Sequence, residues 1–112
     1  MQKRRLERTE LGRTIVVHDI VHQRTVGEVA NINIEGLMLL ADATLESGAI
    51  LQVSLQLPQP ISGHNTVELS VDCLWCRPAD HTKRYWAGCQ IIDASPEAVK
   101  LVEMLIREYG KD

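Results

Sequence analysis

Four cationic side chains crowd the start of the chain, where MQKRRLER sets Lys3, Arg4, Arg5 and Arg8 against the single carboxylate of Glu7. Over its 112 residues the chain carries 12 Lys and Arg against 15 Asp and Glu, a formal charge of −3. General attraction to nucleic acid or to anionic membranes is therefore not expected. A cationic end on an acidic protein fits one compact anionic partner instead. Arginine suits that task, because its planar guanidinium can hold a phosphate through two parallel hydrogen bonds. The four-residue spacing brings Arg4 and Arg8 to one side if the segment turns, but not if it is fully extended.

A second polar cluster, Asn31-Ile32-Asn33-Ile34-Glu35-Gly36, falls between two apolar runs. By itself it reads as an ordinary polar turn. Its asparagines offer both donors and acceptors, and Gly36 admits a turn or a close approach that a Cβ would block. Cys73-Leu74-Trp75-Cys76 contains a CxxC. Zinc sites usually place that pair in a turn where both sulfurs converge. Here it sits in a strand pattern, whose odd separation sends Cys73 and Cys76 to opposite faces. No metal is expected. The histidines at 18, 22, 64 and 81 have no nucleophile at useful spacing, and there is no Gly-rich phosphate loop and no GxSxG. No catalytic residue is assigned, and the chain is not read as an enzyme.

The elements that must hold these groups are mostly strands. Residues 14–22 are rich in β-branched side chains, residues 24–32 resume the pattern, and Gly36 opens a short apolar run from Leu37 to Leu40. From Ile50 to Leu57 the alternation is clean, with Leu51, Val53, Leu55 and Leu57 opposite Gln52, Ser54 and Gln56. Pro58 and Pro60 stop that strand, and Ser62-Gly63-His64-Asn65 reads as a hairpin loop. Val67, Leu69, Val71, Cys73 and Trp75 then line one face, which makes Trp75 a core residue, and Pro78 closes the strand. YWAGCQIID is the last strand. Six strands at hairpin spacing favour an antiparallel barrel or sandwich, since parallel strands need long crossovers.

The period changes at Ser95, a helix cap followed by Pro96 at the first helical position. Ala98, Leu101, Val102, Leu105, Ile106 and Tyr109 then form one apolar stripe, and Gly110 is a stop. The barrel offers that stripe its apolar surface. The length suits one domain spanning 1–112, divided into a flexible arginine-rich segment at 1–10, a barrel at 13–93 and a helix at 95–109. No signal peptide is visible, and no run approaches the roughly 18 apolar residues of a membrane span. Three cysteines without an export signal read as reduced thiols in the cytoplasm.

Arg4-Arg5-Leu6-Glu7-Arg8 resembles the RxxxR signature of PilZ domains, with Arg4 and Arg8 as the paired arginines. Asn31 to Gly36 is similar to the family's (D/N)xSxxG motif, and Gly88-Cys89-Gln90-Ile91 to its late GxxF element with Ile91 in place of Phe. The order of arginine segment, barrel and helix is also similar, so the resemblance covers nearly the whole chain. It implies a six-stranded antiparallel β-barrel of the split PilZ kind with a C-terminal α-helix. It also implies a stand-alone bacterial receptor for cyclic di-GMP, with no cofactor beyond that ligand, that relays the signal to an unidentified effector protein.

The carried-over ligand residues are Arg4, Arg5, Arg8, Asn31, Asn33 and Gly36, with Lys3 and Trp75 as secondary contacts. The chemistry agrees: arginine can take a phosphate, grip the O6 and N7 edge of guanine, or stack on the base, and tryptophan can stack as well. The chain departs from the family at Asn33, which replaces a serine. Asparagine either substitutes with its donor and acceptor or crowds the base. In the second case the chain is a degenerate PilZ domain, a protein–protein adaptor in pilus or motility machinery.

Overall fold

A computed structural model describes residues 9–110 of the chain. Seven strands precede one helix: β1 (Thr9–Glu10), β2 (Val16–Asp19), β3 (Arg24–Ile32), β4 (Gly36–Ala41), β5 (Ile50–Ile61), β6 (His64–Pro78), β7 (Tyr85–Asp93) and α1 (Pro96–Tyr109). The sheet order is β1-β3-β2-β5-β6-β7-β4, and a further β3–β4 pairing closes β2 to β7 into a six-stranded barrel. Every pairing is antiparallel. Closure removes the exposed edges that an open sheet of this size would present. The alternation read from sequence supplies the interior: Val17, Ile32, Leu39, Val53, Leu55 and Val71 are fully buried.

Three features of the strands differ from what periodicity predicts. β2 ends at Asp19, and the turn that follows carries Gln23 at φ 52°. The buried Asp19 carboxylate organises this turn, accepting from the His22 backbone N–H at 3.0 Å, with the His22 Nδ1 at 2.9 Å and Arg24 Nε at 3.5 Å. Burial alone would raise the Asp19 pKa. The hydrogen bonds from His22 and the charges of His22 and Arg24 outweigh it and hold the carboxyl below its ordinary value.

β5 runs through Pro58 and Pro60 rather than stopping before them. Its ladder with β6 passes from Gln56↔Thr66 directly to Ile61↔His64, so both prolines lie in an irregularity where no N–H is needed. The hairpin turn is correspondingly shorter, with Ser62 and Gly63 at φ 48° and 79° and His64 already in β6. Positive φ at both central residues matches the twist of the flanking strands.

The third difference bears on the site. A register shift between Cys73 and Trp75 makes Leu74 the extra residue of a bulge in β6. Past the bulge the faces exchange, so Trp75 turns outward and Cys76 turns toward the interior opposite the fully buried Ala87. Trp75 is thus not a core residue, and Cys73 and Cys76 do not face opposite ways.

The helix begins as its sequence dictates: the Ser95 hydroxyl accepts from the Ala98 N–H at 3.0 Å, Pro96 follows, and Glu97 lies in the first turn. Ala98, Leu101, Val102, Leu105 and Tyr109 are its buried stripe, packed against β5 and β6. Its far end is tied to the start of the described chain. Gly12 N–H donates to the Tyr109 carbonyl at 2.8 Å, Leu11 bridges to Gly110, and the Arg13 guanidinium lies 5.9 Å from the Tyr109 ring centre. No helix among the described residues is long and apolar enough to cross a membrane.

Candidate functional site

Lys3, Arg4, Arg5 and Arg8 lie outside the described residues. The segment that follows them is placed, and its position matters. Thr9, next to Arg8, pairs with Ile32, and Glu10 pairs with Asn31. β1 is antiparallel to β3, so its N-terminal direction points the way β3 runs, toward Asn33. Periodicity gives no hint of a two-residue strand here, because its partners Ile32 and Asn31 lie in a distant strand.

Asn33 shapes the turn. Its side-chain oxygen accepts from the Glu35 N–H at 2.7 Å and the Gly36 N–H at 2.9 Å, while its own N–H donates to the Gly36 carbonyl at 2.9 Å. This local use of an asparagine side chain is what favours the residue in turns. The side chain is buried and turned back on the backbone. Gly36 meets β7: a Cβ there would fall 2.6 Å from the Cys89 carbonyl oxygen, too close for any other residue. One step earlier, Ile91 N–H donates to the Glu35 carbonyl at 2.8 Å, locking the turn to β7.

Asn31 points outward, since the adjoining Ile32 is fully buried. Its Oδ1 is nevertheless covered and has no hydrogen-bond partner among the described residues. An acceptor in that condition costs about 1–3 kcal/mol and is rare in folded proteins. A donor supplied by a ligand would remove the deficit.

From Asn31 a row of outward positions crosses the barrel wall. Asn31 faces Met38, Met38 faces Gly88, and Gly88 faces Trp75. At ~4.8 Å between strands, Trp75 is about 15 Å from Asn31 along this row. The Trp75 indole lies on Gly88, where its Nε1 and Cε2 occupy the space of a Cβ. The Arg77 guanidinium lies 5.0 Å from the ring centre, a cation–π contact. The structure therefore gathers Asn31, Asn33 and Gly36 at one turn beside β1, with Trp75 on the same outer wall. Met38, Gly88 and Arg77 join them as neighbours that only the strand register reveals.

Two of the three cysteines lie in the interior. Burial, reinforced by Cys73, pushes the Cys89 thiol up to about 12, and burial followed by the neighbouring Cys76 raises Cys73. Both stay protonated at neutral pH, so neither is a nucleophile. Among the described residues no group of three His, Cys, Asp or Glu is placed to hold a metal. A groove of about 330 Å³ lies away from the turn, beside the helix start, lined in part by Gln52, Glu68, Ser70, Asp93 and Ser95. Its carboxylates do not suit a phosphate ligand.

The PilZ domain family model matches residues 2–108. The chain is similar in fold to the Bacillus subtilis inhibitor of motility MotI/DgrA (TM-score 0.72, 14% identity, covering 96% of this chain and 52% of that one). It is also similar to the PilZ domain of Escherichia coli YcgR with c-di-GMP (TM-score 0.73, 12% identity, 96% and 92%). The YcgR structure in complex with c-di-GMP gives a TM-score of 0.73 at 14% identity, with 96% of this chain and 46% of that chain covered. The chain thus spans about half the length of MotI and of that YcgR chain. No curated protein sequence matches it. With the family model extending over all but a few terminal residues and the closed barrel, turn and helix in place, the chain belongs to the PilZ domain family.

Proposed function

We propose that this PilZ domain binds cyclic di-GMP through Arg4, Arg5 and Arg8 together with the turn Asn31–Gly36, and passes the signal to a partner protein. The observation that carries the reading is the β1–β3 pairing, which sets Thr9 beside Ile32 and Glu10 beside Asn31. That pairing sets Thr9, the residue that follows Arg8, beside the turn, and among the described residues no donor reaches Asn31 Oδ1. Guanine offers N–H donors to such an acceptor, and its O6 and N7 suit an arginine fork. The YcgR structures that share the fold contain c-di-GMP.

Trp75 is a secondary contact in this reading. Arg77 covers one face of the indole, and Gly88 lies beneath the ring. A guanine stacking there would displace Arg77, freeing its guanidinium for a phosphate. The reading includes no catalysis, and the ligand takes the place of a cofactor.

The competing reading, an adaptor that takes no nucleotide, requires Asn33 to obstruct the site. Its oxygen is instead engaged by Glu35 and Gly36. A serine hydroxyl can bond the backbone of such a turn in the same manner, which supports asparagine as a substitute. An NMR titration of the protein with cyclic di-GMP tests the assignment. Saturable shifts at Glu10, Asn31, Asn33 and Gly36 are expected. Shifts confined to the other side of the barrel would reject it.

A further inference from the structure

Among the described residues, four of the six exposed large apolar side chains occupy register positions near one carboxylate. Ile34, Ile50, Leu74 and Ile92 are between 43% and 58% exposed. On the outer wall Ile50 pairs with Asp72, Asp72 with Gln90, and Gln90 with Gly36. Leu74 bulges out two residues beyond Asp72. Ile91 N–H bonds the Glu35 carbonyl, so the next step in that register brings Ile92 level with Ile34. Scattered apolar residues on a surface need no explanation, but a contiguous group marks an interaction site.

Asp72 gives the group its character. Its flanking residues Val71 and Cys73 are fully buried, so its side chain points outward. Yet its Oδ1 is covered and has no hydrogen-bond partner among the described residues. A carboxylate oxygen shut from water without a donor is costly, and a cationic donor is its best remedy. Glu68, further along the same face of β6, and Asp93, paired with Ser70, extend the negative charge.

We propose that this face docks a partner protein through a segment that sets a lysine or arginine among aliphatic side chains, the cation meeting Asp72. A second copy of the chain fits badly, because like faces would oppose their Asp72 carboxylates. The face begins at Ile34, inside the turn assigned to the nucleotide, so a bound ligand and a docked partner would be neighbours. The idea of a relay rests on the receptor reading, but docking itself can be measured without nucleotide. Its failure would therefore leave the cyclic di-GMP titration untouched.

The probe is an amphipathic peptide of leucine and lysine, titrated into isotope-labelled protein, with a leucine–glutamate counterpart as control. Saturable shifts are expected at Ile50, Asp72, Leu74 and Ile92 with the lysine peptide alone. Asp72→Asn, nearly the same shape, should weaken binding roughly tenfold. Leu74→Ser should weaken it without lowering the thermal midpoint, since that side chain is solvent-exposed. Equal binding of both peptides, or shifts elsewhere, would overturn the proposal. So would concentration-dependent self-association abolished by Ile50→Lys, which would assign the face to a second copy. Peptide shifts at Ile50 and Leu74 that appear only after Arg4, Arg5 and Arg8 are neutralised would assign the face to the chain's own first residues, and would overturn it as well.

Discussion

The indole of Trp75 lies directly over Gly88, in the space that a β-carbon on that glycine would need. The contact follows from the bulge at Leu74, which turns Trp75 out of the core and opposite Gly88. Gly88→Ala must therefore push the ring away. The expected cost is about 1–3 kcal/mol of stability, as for other overpacked sites, with a change in tryptophan emission. Urea unfolding monitored by fluorescence measures both, and an alanine variant with unchanged stability and spectrum would contradict the placement.

Asn33 Oδ1 serves two backbone N–H groups, those of Glu35 and Gly36. Asn33→Ala should lower stability by about 1–3 kcal/mol, because a partly buried turn loses its acceptor. Asn33→Ser and Asn33→Asp keep an oxygen in place and should lose much less. Chemical denaturation of the three variants decides the matter. An alanine variant as stable as the parent would show that the oxygen is dispensable.

Asp19 predicts the acid limb of the stability profile. Its folded pKa lies below the ordinary 3.8, so the folded state binds this proton less readily than the unfolded chain does. The contribution is complete above the unfolded pKa and disappears as pH falls through the folded value. Asp19→Asn should therefore flatten the loss of stability below about pH 4. Equal acid slopes for parent and variant in a urea series would refute this role.

Cys73 and Cys89 should resist alkylation at neutral pH, since both are buried and raised above the ordinary thiol value. Mass spectrometry after treatment with iodoacetamide should find them unmodified until denaturant is added. Labelling of Cys89 in the native protein at the rate seen in the unfolded chain would contradict the structure.

Arg4→Ala and Arg8→Ala should each weaken cyclic di-GMP binding at least tenfold, as expected for losing a charge-assisted contact of about 1.5–3 kcal/mol. Stability should not change, because these residues fall outside the apolar pattern of the barrel. Titration calorimetry on both variants tests the assignment, and two unchanged affinities would remove the arginine pair from the site.

Much of this was legible in the residues themselves. Alternation from Ile50 to Leu57 and from Val67 to Cys73 is dictated by an apolar interior, and Ser95-Pro96 announces the helix by local capping alone. The motif at Asn31–Gly36 stands where one strand ends and the next begins, and an Asn three residues before a Gly is itself a turn signal. The bulge at Leu74 left no such trace, because it depends on register against β7, and it reversed the expected faces of Trp75 and Cys76. β2 stopped early because Asp19 engages His22, a contact that β-branched composition conceals. The two prolines of β5 look like stops in the sequence because a local rule cannot show that the ladder skips them. The exclusion of a Cβ at Gly36 is likewise set by Cys89, a residue far along the chain.

The central claim is that the unmodified chain binds cyclic di-GMP, and calorimetric titration of that chain tests it most directly. A saturable heat of binding, with the site at the β1–Asn31 junction, is the predicted result. No heat, and no spectral shift, at high micromolar nucleotide would contradict the account and leave the domain as an adaptor.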